Sequence, residues 1–185
     1  MDSNLLVHRS TRLTGLLLLV VASGITFGAT PPTTDAPDEQ TCATNSENRQ
    51  LDFWLGDWRV VAPGSAPNAA SRVYLTLDKC MVVESWDGGR GHIGENMLAY
   101  SSDDHSWRGM FVDNRGRVHI FNDGKAMPGA VEFSASSQGP GGGTVLNRVK
   151  IVRLDPDKVE QLWQKSSDNG ITWSTEFLGV YLRKH

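Results

Sequence analysis

The side chains with the clearest potential for chemistry stand at alternate positions in short runs of β-branched and aromatic residues. Val82, Glu84 and Trp86 are spaced by two, so they share one face if this run is a β-strand. A carboxylate between two apolar residues is unusual on a solvated face, and once buried it needs a polar partner. Glu84 therefore either orients a polar group of a small ligand, or pairs with an arginine such as Arg108 or Arg117 and completes the core.

The same alternation in neighbouring runs supplies further candidates for one pocket. Apolar walls with a few polar groups are typical of small-ligand sites. The predicted ligand-binding residues are Glu84, Trp86, Asn96, Phe111, His119, Gln161 and Trp163. The alternative is an acid–base enzyme of isomerase, cyclase or hydrolase type, in which Glu84 and either His92 or His119 transfer protons.

The histidines are too dispersed to predict a metal or haem site. His92, His105 and His119 lack the spacing of metal ligands, and none lies in the last three predicted strands. The chain also lacks the nucleophile motif G-x-S-x-G, the metalloprotease motif H-E-x-x-H, and a glycine-rich phosphate loop followed by a helix. The sequence therefore predicts no metal and no cofactor.

The elements that position these residues are short strands. Runs rich in β-branched and aromatic residues, separated by Gly, Asp, Asn and Pro, predict an all-β domain of about ten strands. A short N-terminal helical turn is expected at 48–55. The strands are predicted at 57–62, 71–78, 80–86, 92–100, 106–113, 116–122, 129–136, 144–154, 157–165 and 172–183.

The connections between these runs determine the topology. The turns at 114–116, 155–157 and 168–170 leave no room for crossover helices, so successive strands must be antiparallel neighbours. An open meander would expose two long edges. Closure into an up-and-down β-barrel is therefore favoured over an open sheet and, by a smaller margin, over a sandwich. A barrel of about eight to ten strands has an interior that can hold one small ligand.

A G-x-W motif, Gly56 and Trp58, opens the first predicted strand, and Arg183 lies near the end of the last. This motif resembles the G-x-W that opens the first strand of lipocalin-like barrels, in which an arginine on the last strand packs over the tryptophan. The resemblance implies that Arg183 makes this cation–π contact with Trp58, worth about 0.5 to 2 kcal/mol. The alternative is an ordinary buried tryptophan and a solvated arginine.

Residues 166–173 fit the pattern S-x-D-x-G-x-T-W, known as an Asp-box. Asp168 is expected to bind backbone amides across the turn, Gly170 to supply a positive φ, and Trp173 to pack against the strand that follows. Such boxes recur in sialidase propellers. A single copy without a blade-like repeat predicts a structural hairpin here and no glycosidase activity.

Taken in order, the motifs of residues 48–184 resemble a family of bacterial secreted or periplasmic lipocalin-like proteins of unknown function that open with F-D-F-W-x-G-x-W. The departures from that pattern are Leu51 for its first Phe, Leu98 for an Asn and Phe111 for a Trp. The resemblance implies a lipocalin-like barrel and an exported location but no reaction. It is carried by the segments 51–60, 79–86, 94–100, 107–114 and 161–181.

The N-terminus predicts export to the periplasm or the medium. Arg9 and Arg12 precede the apolar run 13–21, which is shorter than the roughly 20 residues of a membrane span. Residues 1–29 are therefore predicted to be a cleaved signal peptide, an uncleaved anchor being the alternative. Residues 30–47 are predicted to be a flexible linker and 48–185 the barrel domain, with no stable membrane anchor after processing.

The two cysteines, Cys42 and Cys80, both follow the predicted signal peptide, and an oxidising compartment lets thiols pair. We expect a disulfide worth about 3 to 4 kcal/mol. A catalytic thiol is the alternative, but no sequence neighbour of either cysteine supplies the base that it would need.

The distribution of charge along the chain limits the classes of molecule that the protein can bind. The chain carries 18 basic and 21 acidic residues, and removal of 1–29 takes away two arginines and one aspartate. The mildly acidic remainder has no Lys/Arg cluster, so nucleic acid and anionic membrane surfaces, which both demand concentrated positive charge, are poor partners and none is predicted. The leading hypothesis is an exported lipocalin-like protein that binds a small, largely apolar ligand in the barrel lumen. A lumenal acid–base enzyme and an accessory interaction protein with a filled barrel are the alternatives.

Overall fold

The computed structural model describes residues 41–139 and 141–185. The predicted signal peptide and residues 30–40 of the predicted linker lie outside the described residues. Two short 3-10 helices span Ser46–Arg49 and Asp52–Trp54, in the region predicted to form a helical turn. The ten strands seen in this part of the chain are β1 Gly56–Val61, β2 Ala70–Thr76, β3 Met81–Asp87, β4 Ile93–Ser101, β5 Ser106–Asp113, β6 Val118–Met127, β7 Ala130–Gln138, β8 Thr144–Asp155, β9 Lys158–Ser166 and β10 Ser174–Arg183.

The strands form a closed barrel. Each strand pairs antiparallel with the next in the chain, and β10 returns to pair with β1, so the order is that of an up-and-down meander. Closure removes both sheet edges, which confirms the predicted all-β barrel and excludes the sandwich. Helices long and apolar enough to cross a membrane are absent from residues 41–139 and 141–185.

Large side chains fill one end of the barrel interior. Trp54, Trp58, Trp107, Phe133 and Tyr181 are each at most 1 % exposed. The Trp54 and Trp58 rings lie edge-on to Tyr181, with centroid distances of 5.8 Å and 6.5 Å. These contacts leave little space at this end, so any internal cavity must lie toward the other.

The N-terminal segment covers the filled end. Cys42 and Cys80 form a disulfide, as predicted, which ties this segment to the turn between β2 and β3. The indole nitrogen of Trp107 donates a hydrogen bond to Gln50 Oε1 at 2.8 Å. The predicted linker, 30–47, overlaps this folded segment, because Cys42 and the start of the first helix lie within it. The folded part of the chain therefore begins upstream of residue 48.

The G-x-W motif joins the first strand to the last. Trp58 and Arg183 are register partners across β1 and β10, and the guanidinium carbon of Arg183 lies 4.1 Å from the indole centroid. Arg183 Nη1 also donates to Leu55 O at 2.7 Å. Gly56 has a φ of +129°, and a Cβ at this position would lie 2.5 Å from Arg183 Nη1. The glycine is thus required both by its backbone conformation and by the space that the arginine occupies.

The Asp-box forms the tight connection between β9 and β10. Asp168 accepts hydrogen bonds from the Thr172 hydroxyl at 2.6 Å, from the Thr172 backbone amide at 2.9 Å and from Ser166 Oγ at 2.7 Å, and these donors lower its pKa to about 2. Gly170 has a φ of +87°, and Trp173 lies under the guanidinium of Arg148 at 4.1 Å. All these contacts stay within the hairpin and the adjoining strand β8, so the box works as a structural turn.

Candidate functional site

A cavity of about 410 Å³ occupies the end of the barrel opposite the disulfide-linked segment. Its mouth is formed by the β1–β2 loop (62–66), the β3–β4 loop (88–92), the β5–β6 turn with Arg115, and the start of β10 with Glu176. In an up-and-down barrel these connections share one end, because successive strands run in opposite directions. The volume falls within the range of about 300–1,000 Å³ that small-ligand pockets occupy.

The walls of the cavity are aromatic. The Trp86 ring lies edge-on to Phe111 and Phe177, at centroid distances of 6.5 Å and 6.2 Å. Across the lumen, Trp163 lies edge-on to Phe111 at 6.5 Å and to Phe121 at 5.7 Å. The rings come from β3, β5, β6, β9 and β10, so each is held by a different strand. They give the lumen an apolar surface that a ligand can contact on several sides.

The floor of the cavity is polar and centres on Glu84, which is 1 % exposed. Its Oε1 accepts hydrogen bonds from Ser71 Oγ and from Tyr181 Oη, both at 2.8 Å. Its Oε2 accepts one from Asn96 Nδ2 at 2.6 Å. Tyr181 Oη also lies 2.6 Å from the side-chain amide of Gln161. The atom of Gln161 at this distance is Oε1, which accepts from the tyrosine hydroxyl, so the single hydroxyl proton of Tyr181 serves either Glu84 or Gln161 at one time.

This environment determines the charge behaviour of Glu84. Burial raises the pKa of the carboxyl, because the charged form loses its hydration, and the bonds from Asn96, Ser71 and Tyr181 offset only part of that effect. Burial also raises the pKa of Tyr181 well above its usual value, and the adjacent Glu84 adds to the rise. Glu84 and Tyr181 are therefore one buried, hydrogen-bonded pair.

The expected arginine partner of Glu84 is not found, which corrects one interpretation of the sequence. Arg108 pairs with Asp104, and Arg117 Nη2 lies 2.6 Å from Asp113 Oδ2. Arg108 is exposed on the outside of the barrel and Arg117 lies at the mouth of the cavity, whereas Glu84 lies at its floor. Within the described residues, the bonds that Glu84 makes come from the neutral donors Ser71, Asn96 and Tyr181.

A second polar cluster lies at the mouth around Asp113, which is fully buried at its side chain. His92 Nε2 lies 2.9 Å from Asp113 Oδ2, and Arg117 Nε donates to the same oxygen at 2.7 Å. The backbone amides of Arg115 and Arg117 both donate to Asp113 Oδ1 at 3.0 Å. Although burial acts in the opposite direction, the bonds from His92 and Arg117 hold the pKa of this carboxyl well below its usual range. The cluster fixes the β5–β6 turn at the mouth.

The structure brings most of the sequence-predicted site together. Glu84, Trp86, Asn96, Phe111, Gln161 and Trp163 all border the cavity. His119 does not border it, but its ring lies 4.5 Å from the Trp163 centroid and 6.4 Å from that of Phe111. Burial lowers the pKa of His119, and the positive charges of Lys165 and Arg117 lower it further. This histidine therefore supports the aromatic wall from the side.

The histidines proposed for proton transfer are not hydrogen-bonded to Glu84 in the described part of the chain. His92 is bound to Asp113, and His119 contacts the aromatic wall. The lumenal site thus contains one buried acid with no adjacent histidine base.

Sequence analysis missed several residues of the site. Ser71 and Tyr181 both bind Glu84; Ser71 lies on the adjacent strand β2, and Tyr181 lies on β10, 97 residues away in the chain. An inward polar residue between apolar ones, as Ser71 stands two before Val73, was the signal for the first. Arg90 and Arg115 at the mouth lie in loops, where no periodicity indicates direction. Among residues 41–139 and 141–185, no three His, Cys, Asp or Glu side chains cluster as metal ligands would.

The function must be argued from this geometry. No protein-family model matches the chain, and no match is found among curated proteins.

Proposed function

We propose that this chain is an exported lipocalin-like protein that binds a small, largely apolar ligand in the barrel lumen. The observation that carries the proposal is the cavity of about 410 Å³, with aromatic walls and a polar floor, in a barrel whose other end is filled. A pocket of this composition is the usual form of a small-ligand site. It also speaks against an accessory role for a solidly filled barrel, because an unfilled lumen forgoes packing energy that the core of a structural protein would retain.

The floor can orient the ligand. Asn96 uses one amide hydrogen on Glu84 and has its carbonyl oxygen free of bonds to other described side chains. Gln161 uses one end of its amide on Tyr181. The remaining amide groups of these two residues border the lumen and can bind a hydroxyl or carbonyl group. A ligand with one such group and an apolar body would be held in one direction.

Two further observations support the exported, lipocalin-like part of the proposal. The disulfide between Cys42 and Cys80 is a bond that persists in oxidising compartments. The Trp58–Arg183 contact closes the barrel at the position where the resemblance to lipocalin-like proteins places its opening motif. The N-terminal signal peptide predicted at 1–29 supplies the route of export.

The binding proposal is tested with the uncharged fluorescent dye N-phenylnaphthylamine, which brightens in apolar surroundings. Val149 is 4 % exposed and borders the cavity from β8, so a Val149→Phe substitution should fill part of the lumen and weaken dye binding at least tenfold. Val152→Phe is the matched control, because this residue lies on the same strand and faces outward. Equal binding by both variants, or none by the parent protein, would refute the proposal. Native mass spectrometry of protein purified from its own host would then look for the natural ligand.

A lumenal acid–base enzyme is the second candidate, favoured by one observation. Glu84 is a buried carboxyl with a raised pKa at the floor of a cavity, and such groups are enriched in active sites. The substitution Glu84→Gln separates the two functions. A binding protein should keep its affinity within a few fold, whereas an acid–base enzyme should lose roughly 100-fold or more of its activity.

A further inference from the structure

The mouth of the cavity is positively charged, although the chain as a whole has a net charge of -3. Arg90, Arg115 and Arg117 all border the cavity at this end, against one acid, Glu176. Arginine is the side chain best suited to bind carboxylate and phosphate groups, because its planar guanidinium presents paired donors. An apolar ligand in the lumen would not need three arginines around the opening of the cavity.

Two of these arginines keep their charge available for a ligand. Arg117 is paired with Asp113, and Glu176 is paired with Lys165 at 3.0 Å. Arg90 and Arg115 are exposed and form no ion pair with any described residue. Among the described charged side chains that border the cavity at the mouth, Arg90 and Arg115 are therefore the two without an ion-pair partner. The carboxylate of Asp87 accepts from the backbone amide of Gly89 in the same loop and does not border the cavity.

The loops that carry these two arginines are fixed in place. Arg90 lies in the β3–β4 loop, where Gly88 N donates to His92 O at 2.9 Å. In the same loop, a Cβ at Gly89 would lie 2.3 Å from the Ala66 Cβ, which shows how closely this loop packs on the β1–β2 loop. Arg115 lies in the β5–β6 turn and its backbone amide is bound by the buried Asp113. Because the two backbones are held, their guanidinium groups can converge on a ligand with a smaller loss of entropy.

We propose that the ligand is an amphipathic acid: its apolar body lies between Trp86, Phe111 and Trp163, and its anionic group lies at the mouth with Arg90 and Arg115. This inference rests on the proposed function and adds the chemical class of the ligand. It is distinct from recognition of a cation by aromatic rings, since a cation would meet two uncompensated positive charges at the opening. The charged group stays near water, which avoids the cost of burying it.

The experiment measures how three compounds with the same decyl chain displace N-phenylnaphthylamine from the protein at neutral pH. The compounds are decanoate, decanol and decyltrimethylammonium. Decanoate should bind at least tenfold more tightly than the other two, and high salt should reduce this preference. The double substitution Arg90→Gln and Arg115→Gln should remove about tenfold from decanoate affinity and leave decanol unchanged. Arg59→Gln is the control, because Arg59 is exposed on the outer face of β1 and does not border the cavity.

The outcomes separate this inference from the proposed function. If decanol binds as tightly as decanoate, if decyltrimethylammonium binds best, or if none of the three displaces a dye that does bind, the amphipathic-acid inference is wrong while lumenal binding stands. If the double variant keeps the full preference for decanoate, the assignment to these two arginines is wrong. If the dye itself fails to bind, the proposed function falls and the inference with it.

Discussion

Arg183, near the end of the last strand, lies directly opposite Trp58 on the first strand, with its guanidinium carbon 4.1 Å from the indole centroid. The same guanidinium donates to the carbonyl oxygens of Leu55 and Phe53, at 2.7 Å and 3.3 Å. One side chain thus joins the last strand, the first strand and the segment that covers the filled end. The barrel closes through this side chain as well as through the β1–β10 hydrogen bonds.

We therefore expect Arg183→Leu to lower the free energy of unfolding by about 2 to 4 kcal/mol. The substitution removes the cation–π contact and leaves partly buried carbonyl groups without a donor. Urea denaturation followed by tryptophan fluorescence measures the change. Arg59→Leu, on the outer face of β1, should change the value by no more than about 0.5 kcal/mol. Equal effects of the two substitutions would show that the Trp58 contact contributes nothing measurable.

Gly56 provides a second test of the same contact. Gly56→Ala should cost about 1 to 3 kcal/mol, because the backbone has a φ of +129° and the new Cβ would meet Arg183 Nη1. In the Arg183→Leu background the cost should be smaller, since only the backbone strain remains. A double-mutant cycle on urea denaturation gives the coupling directly. Gly116→Ala is the control for strain alone, with a φ of +76° and nothing within 4 Å of the new Cβ. A coupling of zero would contradict the steric explanation.

The strands could be predicted because alternation and turn residues are local signals. The predicted bounds fail where the backbone is irregular. The sequence predicts that strand β6 covers 116–122 and stops before Asp123-Gly124. In the structure Asp123 has a φ of +54° and the register shifts there, so the strand bulges and continues to Met127. Such a bulge is stabilised by packing, since a Cβ at Gly124 would lie 2.6 Å from that of Trp107.

The sequence predicts which side chains point into the barrel, but it does not predict which of them are hydrogen-bonded to each other. The period of two places Glu84 on the same face as Val82 and Trp86, and because that face is apolar, it is predicted to point into the barrel. Its partner Ser71 lies on the adjacent strand β2, whose exact register with β3 the alternation alone does not give. Its partner Tyr181 lies on β10 and reaches Glu84 only because the barrel closes. Arg90 and Arg115 lie in loops with no periodicity, so only the three-dimensional structure shows that both border one cavity.

The disulfide should contribute about 3 to 4 kcal/mol to stability, since it closes a loop between residues 38 apart in the chain. Replacing both Cys42 and Cys80 by serine should lower the free energy of unfolding by this amount in urea. Treatment of the parent protein with dithiothreitol should give the same loss, while the serine variant should not respond to the reductant. A parent protein that is insensitive to full reduction would contradict the prediction.

The pKa of Glu84 makes stability depend on pH in a defined direction. Because burial raises its pKa above the ordinary value of 4.5, the folded state holds the proton more tightly than the unfolded state. The stability that this group contributes is therefore complete below pH 4.5 and is lost as the pH rises through the folded-state pKa. The measurement is the free energy of unfolding of the parent protein minus that of Glu84→Gln, taken at several pH values. This difference should fall as the pH rises above 4.5.

Asp113 supplies a control of opposite sign. Its pKa is held below the ordinary value of 3.8, chiefly because the bonds from His92 and Arg117 outweigh the effect of burial. The contribution of Asp113 is therefore complete above pH 3.8 and is lost as the pH falls further. The unfolding free energy of the parent protein minus that of Asp113→Asn should therefore decline toward acid pH. The corresponding difference for Glu84→Gln should be at its maximum there. If the difference in unfolding free energy between the parent protein and Glu84→Gln is flat or increases with pH, the prediction is wrong. Glu84 would then be charged in the folded barrel at its ordinary pKa, because the carboxylate would be solvated well enough to offset its burial.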